Sequence, residues 1–170
     1  LHTGDLGSLD DEGNLRITGR KKDLIITAGG KNVAPAEMEA YIKQIQGVGQ
    51  AVVVGDRQPY LAALITLDPE GLPELTSKLG IANAGVEKVA KDPKVKAYLT
   101  EQIESECNAK VARYQTIKTF TVLPVEFSVD GDELTPTMKI KRNVVNEKYA
   151  SEIAALYAGG DEDRAAAPAE

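Results

Sequence analysis

Two apolar runs set the first constraint on this fold. Ala51-Val52-Val53-Val54 and Leu61-Ala62-Ala63-Leu64-Ile65-Thr66-Leu67 are strand-length, and only a short turn containing Pro59 separates them. So short a connection leaves no room for a crossover helix, and the two runs are expected to pair antiparallel.

Helical signals surround them. Pro35 suits a first helical turn, where its missing N–H costs nothing, and Glu37 complements the positive helix end. Met38, Ile42 and Ile45 follow at helical spacing, with Gly47 as a stop. Val95, Leu99, Ile103, Cys107 and Val111 fall at every fourth position and predict one apolar stripe on a long helix, with Cys107 a buried packing residue. Ile117 to Val122 predicts a further strand, and Asn143 to Tyr157 a terminal helix. Near the start, Leu6 to Leu9 and Leu15 to Thr18 flank the turn Asp10-Asp11-Glu12-Gly13 and read as a β-hairpin closing at Gly19. Leu24 to Thr27 is a short strand that runs into Ala28-Gly29-Gly30.

The fold class that results is α+β: a small, mainly antiparallel sheet flanked by helices and preceded by a β-hairpin. Three pieces are expected: residues 1–21 with the hairpin, a body over 22–158, and a tail over 159–170. The tail carries Asp-Glu-Asp-Arg followed by Ala and Pro, has little to bury, and is expected to be disordered.

Charge and composition narrow the function classes. The chain has 170 residues and a formal net charge of −6, which disfavours non-specific binding to nucleic acid. A single cysteine forms no internal disulfide and points to a reducing cytoplasm. One His and one Cys, distant in sequence, offer no zinc-ligand spacing, so no metal site is expected. No apolar run approaches the roughly 20 residues that span a bilayer. The chain opens at Leu1 without an initiator Met, which leads us to expect a fragment of a longer protein.

Three segments carry chemistry. Asp5, in His2-Thr3-Gly4-Asp5, and Arg20, just past the hairpin, are a turn carboxylate and a surface arginine, or a pair that meets the hydroxyls of a ribose. Gly29-Gly30-Lys31-Asn32 lacks the spacing of a phosphate-binding P-loop; it is a turn, or a place where a narrow ligand passes close to the main chain. Leu134-Thr135-Pro136-Thr137-Met138-Lys139-Ile140-Lys141-Arg142 predicts a loop. It is a solvated basic cluster, or a lysine held to neutralise charge on a transferring phosphoryl or carboxylate group.

In this order and at these separations, the three segments resemble the signature of the ANL superfamily of adenylate-forming enzymes: acyl-CoA synthetases, peptide-synthetase adenylation domains and luciferases. The likeness covers the chain up to about Tyr157. Within the superfamily it runs to the C-terminal domain of long-chain fatty acyl-CoA synthetases, whose last motif reads L-T-P-T-x-K-x-K-R. Met138 stands where adenylation domains and acetyl-CoA synthetases have Gly, and the Gly29-Gly30 loop is one residue longer than in coumarate ligases. The stretch from about Gly80 to Gln115 also suits the long-chain group.

The resemblance implies a reaction in which a fatty acid and ATP, accompanied by Mg²⁺, give an acyl-adenylate, from which coenzyme A takes the acyl group. It implies Lys139 as the catalytic lysine, Asp5 and Arg20 at the nucleotide ribose, and Lys22 as the hinge. It also implies Gly29 and Gly30 at the pantetheine arm, the metal ligands on a missing N-terminal domain of the same chain, and a fragment inert alone. The hairpin would belong to that missing domain. Neither Lys31 nor His2 receives a role. A fatty-acyl-AMP ligase that hands the acyl group to a carrier protein is the near rival, against which the T-P-T-x-K form speaks. A non-enzymatic module binding an anion through Arg20, Lys139 and Arg142 is the distant one. Acyl chain length and peripheral association with a membrane surface stay open.

Overall fold

The structure is a computed structural model that describes residues 3–158. His2 and the expected tail over 159–170 lie outside the described residues.

The element order is β1 (Asp5–Leu9), β2 (Leu15–Arg20), β3 (Ile25–Ile26), β4 (Asn32–Val33), α1 (Pro35–Lys43), β5 (Val48–Val54), β6 (Leu61–Leu67), α2 (Leu72–Leu79), α3 (Val86–Ala90), α4 (Pro93–Glu106), β7 (Ile117–Leu123), α5 (Arg142–Lys148) and α6 (Ala150–Ala158). The fold is α+β, as expected. β5 and β6 pair antiparallel, with Ala51 opposite Ile65 and Val53 opposite Ala63. The sheet runs β5-β6-β7, and β7 joins β6 in parallel. α2, α3 and α4 fill the crossover that a parallel partner requires.

β6 lies in the middle of this sheet and every one of its residues is buried. Side chains alternate across a strand, so its two sets enter different cores. Leu61, Ala63, Ile65 and Leu67 join Met38 and Ile42 of α1, Leu75 of α2, and Val95, Leu99 and Ile103 of α4. Ala62 and Leu64 face the other way, onto Phe127, Leu134, Val145 and Tyr149. The sheet therefore separates a helical layer from a layer made by the Lys139 loop and the terminal helices.

The stripe on α4 is buried through Cys107, one residue past the helix end. The Cys107 thiol donates to the Met38 carbonyl at 3.8 Å, and burial pushes it up to about 11. Asn108 then stitches α4 to β7: its side-chain amide donates to the Ile117 carbonyl at 3.1 Å, and its oxygen accepts from the Ile117 N–H at 2.8 Å.

The terminal segment departs from the expected single helix over 143–157. Tyr149 interrupts it with φ −109° and ψ 27°, separating α5 from α6. The break turns the Tyr149 ring into the core, 5.7 Å from the Phe127 ring centroid, and delivers its hydroxyl to Glu133. The short strand expected over Leu24–Thr27 reduces to Ile25–Ile26 and pairs with Asn32–Val33.

The hairpin has a different character from the body. Leu9, Leu15 and Ile17 are 71%, 66% and 59% exposed, so β1 and β2 bury little apolar surface within this chain.

Two substitutions separate core from hairpin. Leu99→Ala should lower the stability in urea unfolding by about 2–5 kcal/mol, the range for an emptied core leucine site. Leu15→Ala, at an exposed position, should change it by less than about 0.5 kcal/mol.

Candidate functional site

The loop that carries Lys139 is fixed by its own backbone. Leu134 and Ile140 form an antiparallel bridge. Between them the Thr135 N–H donates to the Lys139 carbonyl at 2.8 Å, and the Met138 N–H to the Thr135 carbonyl at 2.8 Å. The Lys139 N–H donates to Thr135 Oγ1 at 3.0 Å, and the Thr135 and Thr137 hydroxyls share a bond of 3.0 Å. Pro136 has no N–H, so the tight turn leaves no donor stranded there. Lys139 itself is exposed, and among the described residues its side chain has no ion-pair partner.

Met138 has φ +61°, in the left-handed region. A side chain there costs roughly 1–2 kcal/mol, and Met138 is 61% exposed, so packing does not offset that cost. A glycine at this position would carry no such strain.

Below the loop sits a carboxylate that the motif reading overlooked. Glu133 is 2% exposed. Its Oε1 accepts from Lys148 Nζ at 2.5 Å and from the Tyr149 hydroxyl at 3.0 Å, and its Oε2 from the Ser128 N–H at 3.3 Å. The Lys141 N–H donates to the Glu133 carbonyl at 2.8 Å. Burial pushes the carboxyl up, but the hydrogen bonds from Lys148, its own backbone, Ser128 and Tyr149 together outweigh it and hold it below its ordinary 4.5. Lys141 pairs with Asp132 at the edge of the same loop.

A second carboxylate links the lysine motif to the opposite layer. Glu39 of α1 accepts the Val53 N–H of edge strand β5 at 2.8 Å through Oε1, and Arg142 at 2.5 Å through Oε2. Arg142 closes the T-P-T-x-K-x-K-R run and starts α5, so one side chain ties α1, β5 and α5 together. Arg142 is therefore engaged within the fold, which disfavours an anion-binding module that relies on it. Lys22 and Arg142 line one groove of about 800 Å³, together with Ile153 and Tyr157 of α6.

The other sequence-predicted residues occupy separate places. Asp5 stands opposite Arg20 in the hairpin register, and their side chains approach to 3.6 Å. This pair is largely exposed and contributes at most about 1 kcal/mol. Lys22 lies exposed in a single turn of tighter helix over Lys21–Asp23. Gly29 and Gly30 form the exposed tip between β3 and β4, closed by the Gly30 N–H on the Thr27 carbonyl at 2.8 Å. Gly30 has φ +73°, so its backbone, rather than crowding, requires glycine. The tip is docked on the β5–β6 turn, where the Ala28 N–H donates to the Gln58 carbonyl at 2.9 Å. No hydrogen bond or ion pair among the described residues joins Lys139 to the Asp5–Arg20 pair or to the glycine tip. Among the same residues no group of three or more His, Cys, Asp or Glu could hold a metal ion, so they do not fit a metal site. No described helix is long and apolar enough to cross a membrane.

Fold and loops together define a small α+β domain that displays a backbone-fixed lysine and, not bonded to it, an exposed glycine turn. The sequence pattern of the AMP-binding enzyme C-terminal domain matches residues 22–161, and the chain belongs to that family. The long-chain-fatty-acid–CoA ligase FadD15 of Mycobacterium tuberculosis is 49% identical over 91% of this chain. The long-chain-fatty-acid–CoA ligase ACSBG1 of Rattus norvegicus is 38% identical over 92% of it. The chain spans 26% and 24% of their respective lengths, about a quarter in each case. Among solved structures, the adenylation domain of a carboxylic acid reductase from Segniliparus rugosus, in complex with AMP and a carboxylic acid, superposes with a TM-score of 0.73. At 23% identity over 92% of this chain and 23% of that one, it speaks for the fold alone.

Two outcomes follow for the loop. Glu133 contributes stability above its ordinary 4.5 that is lost as pH falls through its lower folded value. Glu133→Gln should therefore lower stability by about 1–3 kcal/mol at pH 7, and the gap to wild type should narrow in unfolding curves taken progressively below pH 4.5. Met138→Gly should move the other way at that position, relieving strain and leaving thermal stability equal or higher.

Proposed function

We propose that this chain is the C-terminal lid of an AMP-forming long-chain fatty acid–CoA ligase, with Lys139 as its catalytic lysine. One observation carries the reading: in a domain of this family, Lys139 is exposed on a loop whose backbone is closed by Thr135 and whose base is held by the buried Glu133. The names of the similar ligases from Mycobacterium tuberculosis and Rattus norvegicus support the long-chain assignment.

In this reading a fatty carboxylate attacks the α-phosphate of ATP, and pyrophosphate leaves. Two anions must meet, so a cation held at the reacting groups lowers the barrier by neutralising charge. Lys139 provides that cation, and preorganisation of its loop means little rearrangement is needed at the moment of reaction. Asp5 accepts from the ribose hydroxyls and Arg20 stands beside it. Mg²⁺ travels with ATP, and its ligands belong to the larger domain.

The second half-reaction transfers the acyl group from the adenylate to the thiol of coenzyme A. Rotation about Lys22 would withdraw the Lys139 loop and bring in the Gly29-Gly30 tip, where the missing side chains leave a path for the pantetheine arm. The match to the family begins at residue 22, which supports a boundary there, with residues 1–21 as the end of the larger domain. The exposed Leu9, Leu15 and Ile17 would then be covered by that domain. The chain alone would be inert, and its single cysteine and ATP requirement suit the cytoplasm.

The test is Lys139→Ala in the complete ligase, with the half-reactions assayed separately. Acyl-adenylate formation from ATP and palmitate should fall by about 10²–10³. Thioester formation from preformed acyl-adenylate and coenzyme A should stay near wild type. Equal loss of both would indicate a folding or hinge defect and remove Lys139 from the catalytic role.

A further inference from the structure

The turn that fixes Lys139 calls for a glycine and holds a methionine. The Met138 N–H donates to the Thr135 carbonyl and the Lys139 N–H to Thr135 Oγ1, and between these two closures Met138 takes φ +61°. Glycine adopts that conformation freely, whereas a long apolar side chain does so only at a cost. Arg57 and Asp132 are the other described non-glycine residues with a positive φ. Each of them has a charged partner for its side chain, Asp56 at 3.8 Å for Arg57 and Lys141 for Asp132.

The Met138 side chain has no such compensation within this chain. It is 61% exposed and joins neither core cluster. Met38, the other methionine of the chain, is fully buried in the helical layer. Strain of this kind collects at functional sites, where a partner supplies what the fold alone does not.

The position of Met138 says which partner. It precedes Lys139 across a trans peptide, which sets their Cα atoms about 3.8 Å apart. Whatever brings the Lys139 ammonium to a reacting carboxylate therefore brings the thioether alongside. In the ligase reading the groups gathered at that centre are the fatty carboxylate, the α-phosphate and the ribose. Only the hydrocarbon behind the carboxylate offers an apolar surface. A methionine side chain is polarizable and adaptable, which suits a methylene chain without a fixed shape. We propose that Met138 covers the methylenes next to the carboxyl group of the fatty acid and is a specificity-determining residue for adenylation, selecting against acids that carry a polar group there. A hydroxyl pressed against it would lose its hydrogen bonds to water without replacement. This rests on the ligase reading, with Lys139 at the carboxylate, and gives the strained turn a reason to carry a side chain.

The experiment measures acyl-adenylate formation by the complete ligase with palmitate and, separately, with 2-hydroxypalmitate. Met138 is exposed, so replacing it empties no core site. In Met138→Ala, kcat/KM for palmitate should fall about tenfold, the scale of a lost apolar contact. The value for 2-hydroxypalmitate should change little, so the preference for palmitate should also fall about tenfold. Met138→Leu should keep the wild-type preference, and Met138→Gln, of similar length but polar, should lose it. Equal losses for the two acids would place Met138 against protein or in the positioning of the loop, and unchanged values would remove it from the site. Either result overturns the proposal while leaving the role of Lys139 intact. Undiminished adenylate formation in Lys139→Ala would overturn the ligase reading of the loop, and the role of Met138 with it.

Discussion

Burial of β6 on both faces is the constraint on which the remaining structure depends. All seven of its residues are buried, so neither face can be left to water and each needs a covering layer. α1, α2 and α4 supply one layer. The segment from Phe127 to Tyr157 supplies the other, and it can do so only by placing Leu134 against the sheet. Leu134 is the residue at which the Lys139 loop begins. The loop is therefore anchored in the core at its base while its tip stays in solvent, an arrangement that combines rigidity with access.

Two buried carboxylates complete that arrangement. Glu133 gathers Lys148, Tyr149 and Ser128 beneath the loop, and Glu39 holds Arg142 at its far end. Neither carboxylate is stranded, since Glu39 also accepts from Val53 and each oxygen of Glu133 has a donor. Buried charges are costly unless so satisfied. The benefit here is geometric: these bonds tie the lysine loop, the first turn of α5 and the edge of the sheet to one another. In the proposed reading, where the domain swings between two half-reactions, such stiffness would let motion collect at the hinge rather than dissipate inside the domain.

Much of this was legible from the residues. The short turn between Val54 and Leu61 forced the antiparallel β5–β6 pair, Pro35 marked the start of α1, and the every-fourth stripe from Val95 located α4 and buried Cys107. The loop around Pro136 was legible too, because the pyrrolidine ring leaves few conformations. What escaped notice was nonlocal. β7 lies parallel to β6 after a crossover that holds α2, α3 and α4, and periodicity carries no record of which strand it will meet. Glu39 and Arg142 stand 103 positions apart, so nothing near either one announces the other. Glu133 looked like one more acidic residue in a polar loop until the fold enclosed it. The kink at Tyr149 was hidden by a helical pattern that continues on both sides; no Gly or Pro marks it, and it coincides with the bond from the Tyr149 hydroxyl to Glu133.

The enclosure of Cys107 has a practical corollary. It is the only cysteine in the chain, it has no exposed surface, and its thiol is kept protonated well above neutral pH. The reactive species of a cysteine is its thiolate, so the folded domain should be nearly silent toward disulfide dyes and maleimides. Free coenzyme A could then be titrated in its presence without a protein background. Any slow labelling that does occur would mark moments when the α4 layer lifts off the sheet, which turns a packing residue into a clock for the domain's own breathing.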